Sequence, residues 1–197
     1  MVRPKGPRAL WRGRQGRGGA RPPHEGCFVR HRTKHVDIGD PMTFASPITD
    51  RWFEDYVPGA VHEFGSITVE EDEVIAFAKR YDPQDFHTNP VAAKDTIFGG
   101  LIASGWQTCG LMMRLYAEHY LTKCASLASP GVDELRWVRP VRPGDSLSVR
   151  VTIENAVASK SKPDRGVVTS FIEVLNHKAE TVLSMRAINM IARRHPG

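Results

Sequence analysis

In the stretch YDPQDFHTNP, Tyr81 to Pro90, an aspartate and a histidine stand five residues apart in a loop flanked by prolines. A carboxylate and an imidazole can each hold or release a proton near neutral pH, so Asp82 and His87 could work as an acid–base pair on one water. The same residues also fit plainer roles. Asp82 could simply end a helix, and His87 could be a loop histidine. With Asp85 they could bind a metal, but no fourth ligand is evident and the proline-rich loop fixes no coordination geometry, so no metal is expected.

The elements that must position this pair follow from patterning. AVHEFGSITV has strand character. Thr68-Val69-Glu70-Glu71 reads as a capping box opening a helix. Val74, Phe77, Ala78 and Tyr81 then recur at helical spacing as one buried stripe. Pro83 disfavours helix at Asp82 and should end it there. Asn89-Pro90 restarts the chain as the cap and first residue of a short helix to about Asp95.

No charge occurs from Thr96 through Met113 in FGGLIASGWQTCGLMMRLYAEHYL and its flank. That run is too short to span a bilayer but suits a helix buried nearly all round, entered directly from Gly99-Gly100. Gly105 and Gly110 each cost a helix about 1 kcal/mol relative to Ala. Something must therefore pack close to the backbone, and a curved sheet hugging the helix would do so. Beyond the Pro143-Gly144-Asp145 turn, SLSVRVTIEN puts Leu147, Val149, Val151 and Ile153 on one face and Ser148, Arg150, Thr152 and Glu154 on the other. GVVTSFIEVLN and ETVLSMRAINMIA follow as strands joined by a short turn at Asn176 to Ala179, and such short links require antiparallel pairing. The expected fold is α+β, an antiparallel sheet wrapped around one long helix.

Charge divides the chain of 197 residues. Residues 1–35 carry ten Lys/Arg against one acid, whereas residues 36–197 carry 17 bases against 21 acids. Nucleic acid is therefore not an expected partner of the folded part. The Arg-, Gly- and Pro-rich residues 1–45 read as a basic, disordered leader, with an RNA-binding arm as the functional alternative and Met42 as a natural start. Residues 50–193 form the expected domain. Cys27, Cys109 and Cys124 have no metal-ligand spacing and form no even framework, so a cytoplasmic location is expected. Neither a membrane span nor a secretory signal is expected.

Three pieces in order, YDPQDFH, FGGLIASGWQT and DELRWVRPVRPGDSL, resemble the MaoC-like dehydratases, the (R)-specific enoyl-CoA hydratases of hotdog fold. The resemblance covers about Trp52 to Ile191. The family motif runs Asp, any residue, Asn, Pro, aliphatic, His, which puts the catalytic pair on Asp82 and His87. Gln84 stands for the Asn and keeps an amide. Asp85 replaces the Pro and would raise the proton affinity of the pair if it pointed inward. Phe86 replaces the aliphatic, and Gly99-Gly100 replaces the usual His-Gly.

The resemblance implies water addition to, or removal from, a 2-enoyl-CoA thioester, with Gly100 N–H as the oxyanion donor. Which of Asp82 and His87 acts as acid stays open, since a coupled pair titrates as a unit. Gln84, Phe86, Gly99, Ser104 and Thr108 are the expected substrate-side residues, Thr108 also being readable as a core threonine. Arg139, within the Arg136, Arg139, Arg142 and Arg150 concentration, is a candidate for the phosphates of coenzyme A. Coenzyme A enters only as part of the substrate and no cofactor is expected. At least a homodimer is implied. A hotdog thioesterase and a non-catalytic acyl-binding protein are the competing readings.

Overall fold

The computed structural model describes residues 43–195. Strand β1 (Val61–Thr68) leads into helix α1 (Glu71–Tyr81), the single turn α2 (Asp85–Thr88), a 3-10 turn at Ala92–Asp95 and helix α3 (Gly105–His119). Strands β2 (Ser126–Trp137), β3 (Ser146–Ala158), β4 (Arg165–Leu175) and β5 (Thr181–Ala192) complete the chain. All five strands form one antiparallel sheet in the order β1-β3-β4-β5-β2. This sheet, wrapped on α3, is the hotdog arrangement. The basic leader lies outside the described residues except at its last positions. There Phe44 stacks on the His62 ring at 3.9 Å and meets Tyr56 and Tyr120 edge-on.

The core sits between α3 and the concave face of the sheet. Leu147, Val149, Val151 and Ile153 are buried as the alternation of β3 requires, and Val168, Ile172, Val174, Leu183 and Ile191 continue that layer across β4 and β5. Three tyrosines are buried among them, each with a partner for its hydroxyl: Tyr56 donates to Tyr120 O, Tyr116 to Asn189 Oδ1, and Tyr120 pairs with Ser170 Oγ. Arg51 Nη1 donates to the carbonyls of His119 and Tyr120, a cation at the C-terminus of α3.

The helix does approach a neighbour closely, at two glycines. Gly65, at φ +75° in the bulge of β1, leaves no room for a Cβ beside Leu115 of α3 (2.8 Å). Gly105 is covered by the Trp137 ring, 2.4 Å from where its Cβ would stand. Among the described residues nothing lies within 4 Å of the corresponding position at Gly110, so close packing explains only the first of the two helix glycines.

Four expectations need correction. Thr68 does not cap α1, because it is the last residue of β1 and pairs with Ser146. The helix begins at Glu71 behind Glu70 with no side-chain cap, and Glu71, Asp72 and Glu73 complement its dipole instead. Tyr81 leaves the expected stripe, being 60% exposed, while Val74 and Ala78 carry the burial. The charge-free run is not one helix. Leu101 to Ser104 belong to neither helix nor strand, and α3 starts only at Gly105. Nor is α3 buried all round, since Trp106 and Met113 are exposed.

Candidate active site

Asp82 terminates α1, its N–H still reaching Ala78 O at 2.9 Å before Pro83 removes the next donor. Gln84 then stands ahead of the single turn α2, which carries His87 back to Asp82. Two contacts tie this turn to the residues just ahead of α3. Ile102 N–H donates to Phe86 O at 3.1 Å, and Ile102 O accepts from His87 Nδ1 at 2.8 Å. His87 is buried, with Nε2 3.3 Å from Asp82 Oδ2. A carbonyl only accepts, so Nδ1 must carry a proton. Nε2 then faces the carboxylate, and one proton held between the two satisfies that contact.

Asp82 has two further donors. Gln84 Nε2 donates to Oδ1 and Ser104 Oγ to Oδ2, both at 2.7 Å. Burial raises its carboxyl pKa, but these hydrogen bonds and the His87 charge outweigh burial and hold it below the ordinary carboxylate value. Asp85 is exposed and is not part of the cavity lining, so it does not point inward as considered from sequence.

The pair opens into a cavity of about 570 Å³, within the range of small-molecule sites. Gln84, Phe86, Thr108 and Arg139 line it with Asp82 and His87. Thr108 is also tied to its own helix, Oγ1 donating to Ser104 O at 3.3 Å. Ser104 is fully buried behind Asp82 and caps α3 through Trp106 N–H, so it supports the carboxylate from outside the cavity lining. Gly99 and Gly100 also lie outside the lining, in an irregular segment ahead of α3. The cavity instead meets the N-terminus of α3 at Gly105, where first-turn amides present a partial positive charge. Gly100 N–H has no acceptor among the described residues.

The four arginines separate. Arg139 is at the cavity lip, 3.9 Å from Glu180. Arg150 pairs with Glu63 and Glu173, Arg136 bonds Leu135 O, and Arg142 reaches the carbonyls of Phe98 and Leu101. Sequence reading missed the far wall, made by Trp137, Val138, Pro140, Val141 and Val182. Trp137 meets Trp106 edge-on at 5.3 Å, and the RWVRP aromatic beside a turn was the available signal.

Among the described residues no helix is long and apolar enough to cross a membrane. Known proteins agree with the fold. The MaoC-like dehydratase of Rhodospirillum rubrum is 37% identical, with a TM-score of 0.69 over 74% of this chain and 99% of that one. The uncharacterized protein YdeM of Bacillus subtilis is 26% identical over 140 residues, 71% of this chain and 98% of its own. Mesaconyl-CoA hydratase of Haloarcula marismortui is 39% identical over 67 residues, which are 34% of this chain and only 19% of that protein. The MaoC like domain matches residues 55–174, more than half of the chain and all of the site from Asp82 to Arg142, and the protein belongs to that family.

Proposed function

We propose that this chain is an acyl-CoA hydratase/dehydratase that interconverts a 2-enoyl-CoA and a 3-hydroxyacyl-CoA on Asp82 and His87. The observation that carries the reading is the 3.3 Å pairing of the two side chains at the wall of the cavity. In the hydration direction Asp82, held as the anion, takes a proton from water as its oxygen bonds to C3. His87 Nε2–H delivers a proton to C2, and the pair then exchanges a proton to restore the starting state. Both groups stand on one side of the substrate, so addition is syn. Enolate charge on the thioester oxygen needs an amide donor, either Gly100 as the family resemblance implies or Gly105 at the start of α3.

Arg139 at the lip supplies a cation for a phosphate of coenzyme A, and no further cofactor enters the chemistry. The protein works as a homodimer in a reducing cytoplasm. Support for a second copy comes from β2, an edge strand exposed along nearly its whole length, with Leu127, Val132 and Trp137 half uncovered. Trp137 and Val138 also line the cavity, so a copy seated there would extend the cleft.

The test is a panel of enoyl- and 3-hydroxyacyl-CoA thioesters, straight and branched. Loss of the conjugated enoyl absorbance without release of free thiol is expected. Thiol release would make the protein a thioesterase, and an untouched panel would end the enzyme reading.

A further inference from the structure

We propose that Arg142 is a positioning residue that locks the loop from Phe98 to Leu101 and, through it, the carbonyl that orients His87. This deepens the hydratase reading and rests on it for the kinetic consequence. Arg142 is itself anchored in the turn before β3, where its N–H donates to Asp145 Oδ2 at 2.8 Å and its carbonyl accepts from Asp145 N–H at 3.0 Å. From there its guanidinium crosses to the glycine loop. Nη2 donates to Phe98 O at 2.5 Å, and Nη1 to Leu101 O at 3.5 Å. Nη1 also lies 3.3 Å from where a Cβ on Gly100 would stand. One planar cation thus spans both ends of a segment whose glycines hold φ +63° and +155°, backbone that glycine adopts at least cost.

The Leu101–Ile102 peptide is held at both of its polar ends. Its carbonyl faces Arg142, and its N–H donates to Phe86 O beside the reactive histidine. The next carbonyl, of Ile102, accepts from His87 Nδ1. Arg142 therefore acts on His87 through a single residue, and it sets the tilt of the Gly100 amide in the same loop. It stands outside the cavity lining, which separates it from Arg139 and from any direct part in substrate binding.

The experiment compares wild type with Arg142→Ala and Arg142→Lys, using crotonyl-CoA. Both variants lower kcat, the alanine form by about 10- to 100-fold, while KM changes less than about threefold, because geometry and not affinity is lost. Lysine restores only part, since one ammonium does not span two carbonyls. Added guanidinium chloride at millimolar level raises the rate of the alanine form and not that of wild type. Independently of turnover, amide exchange at Ile102 rises about tenfold in the alanine form, with Val151 in β3 unchanged as the check on folding. A raised KM with unaltered kcat would make Arg142 a phosphate contact and overturn the proposal, and so would unaltered exchange at Ile102. If wild type leaves crotonyl-CoA and the thioester panel untouched, the hydratase reading fails, while the exchange result still decides the lock.

Discussion

Ser104 Oγ lies 2.7 Å from the same Asp82 oxygen that faces His87 Nε2 at 3.3 Å. One carboxylate oxygen therefore serves a fixed hydroxyl and a proton-exchanging ring together. Ser104→Ala removes a donor that favours the anion, so the Asp82 carboxyl moves up toward the ordinary range. The acid limb of the kcat/KM profile should shift to higher pH, and because the carboxylate also loses the hydroxyl that fixes its place, the rate at neutral pH should fall about tenfold. A pH–rate series on the variant checks both. An unmoved acid limb would detach Ser104 from the chemistry.

Removing either reacting group should cost far more. Asp82→Asn and His87→Gln should each lower kcat by about 100- to 10,000-fold, with the fold intact by circular dichroism. The double variant should be little worse than the worse single one, because the two act as a unit. Wild-type rates in either single variant would remove the site assignment and leave the family membership standing.

Stability should respond to acid through Asp82. Its folded pKa is lowered below the ordinary 3.8, so the unfolded chain binds the proton more readily. The contribution is present above pH 3.8 and is lost as pH falls through the lowered value. Asp82→Asn should accordingly flatten the fall in urea midpoint below about pH 4 relative to wild type. Parallel curves for the two proteins would contradict the sign of that shift.

The glycines give a three-way contrast. Gly65→Ala forces a Cβ onto Leu115 at a positive φ, and Gly105→Ala pushes one into the Trp137 ring. Each should cost about 1–3 kcal/mol in urea unfolding. Gly110→Ala meets open space inside a helix and should gain up to about 1 kcal/mol. Gly105→Ala should also alter the acyl preference, because Trp137 is part of the cavity wall.

Strands β3, β4 and β5 were legible because each buries one face against α3 and their residues alternate accordingly. Strand β2 was not. It contains Pro130 and Gly131, slips register repeatedly against β5 and is exposed, so no period survives in its residues. The start of α3 was misplaced because apolar, uncharged residues suit an irregular segment pressed on the core as well as a helix. The proximity of Asp82 and His87 was readable because one short turn sets it. Ser104 behind Asp82, the Trp137 wall and the Arg142 contacts depend on distant segments meeting, which no local pattern encodes.

Asp82, His87, Ser104 and the glycine loop all lie on the excursion between β1 and α3, outside the sheet that carries most of the core. Inheritance can thus treat scaffold and chemistry as separable cassettes. Strand residues answer to packing alone, and exchange of that one insert, together with the rim at Trp137 to Arg142, would re-purpose the whole protein while the sheet stays the same.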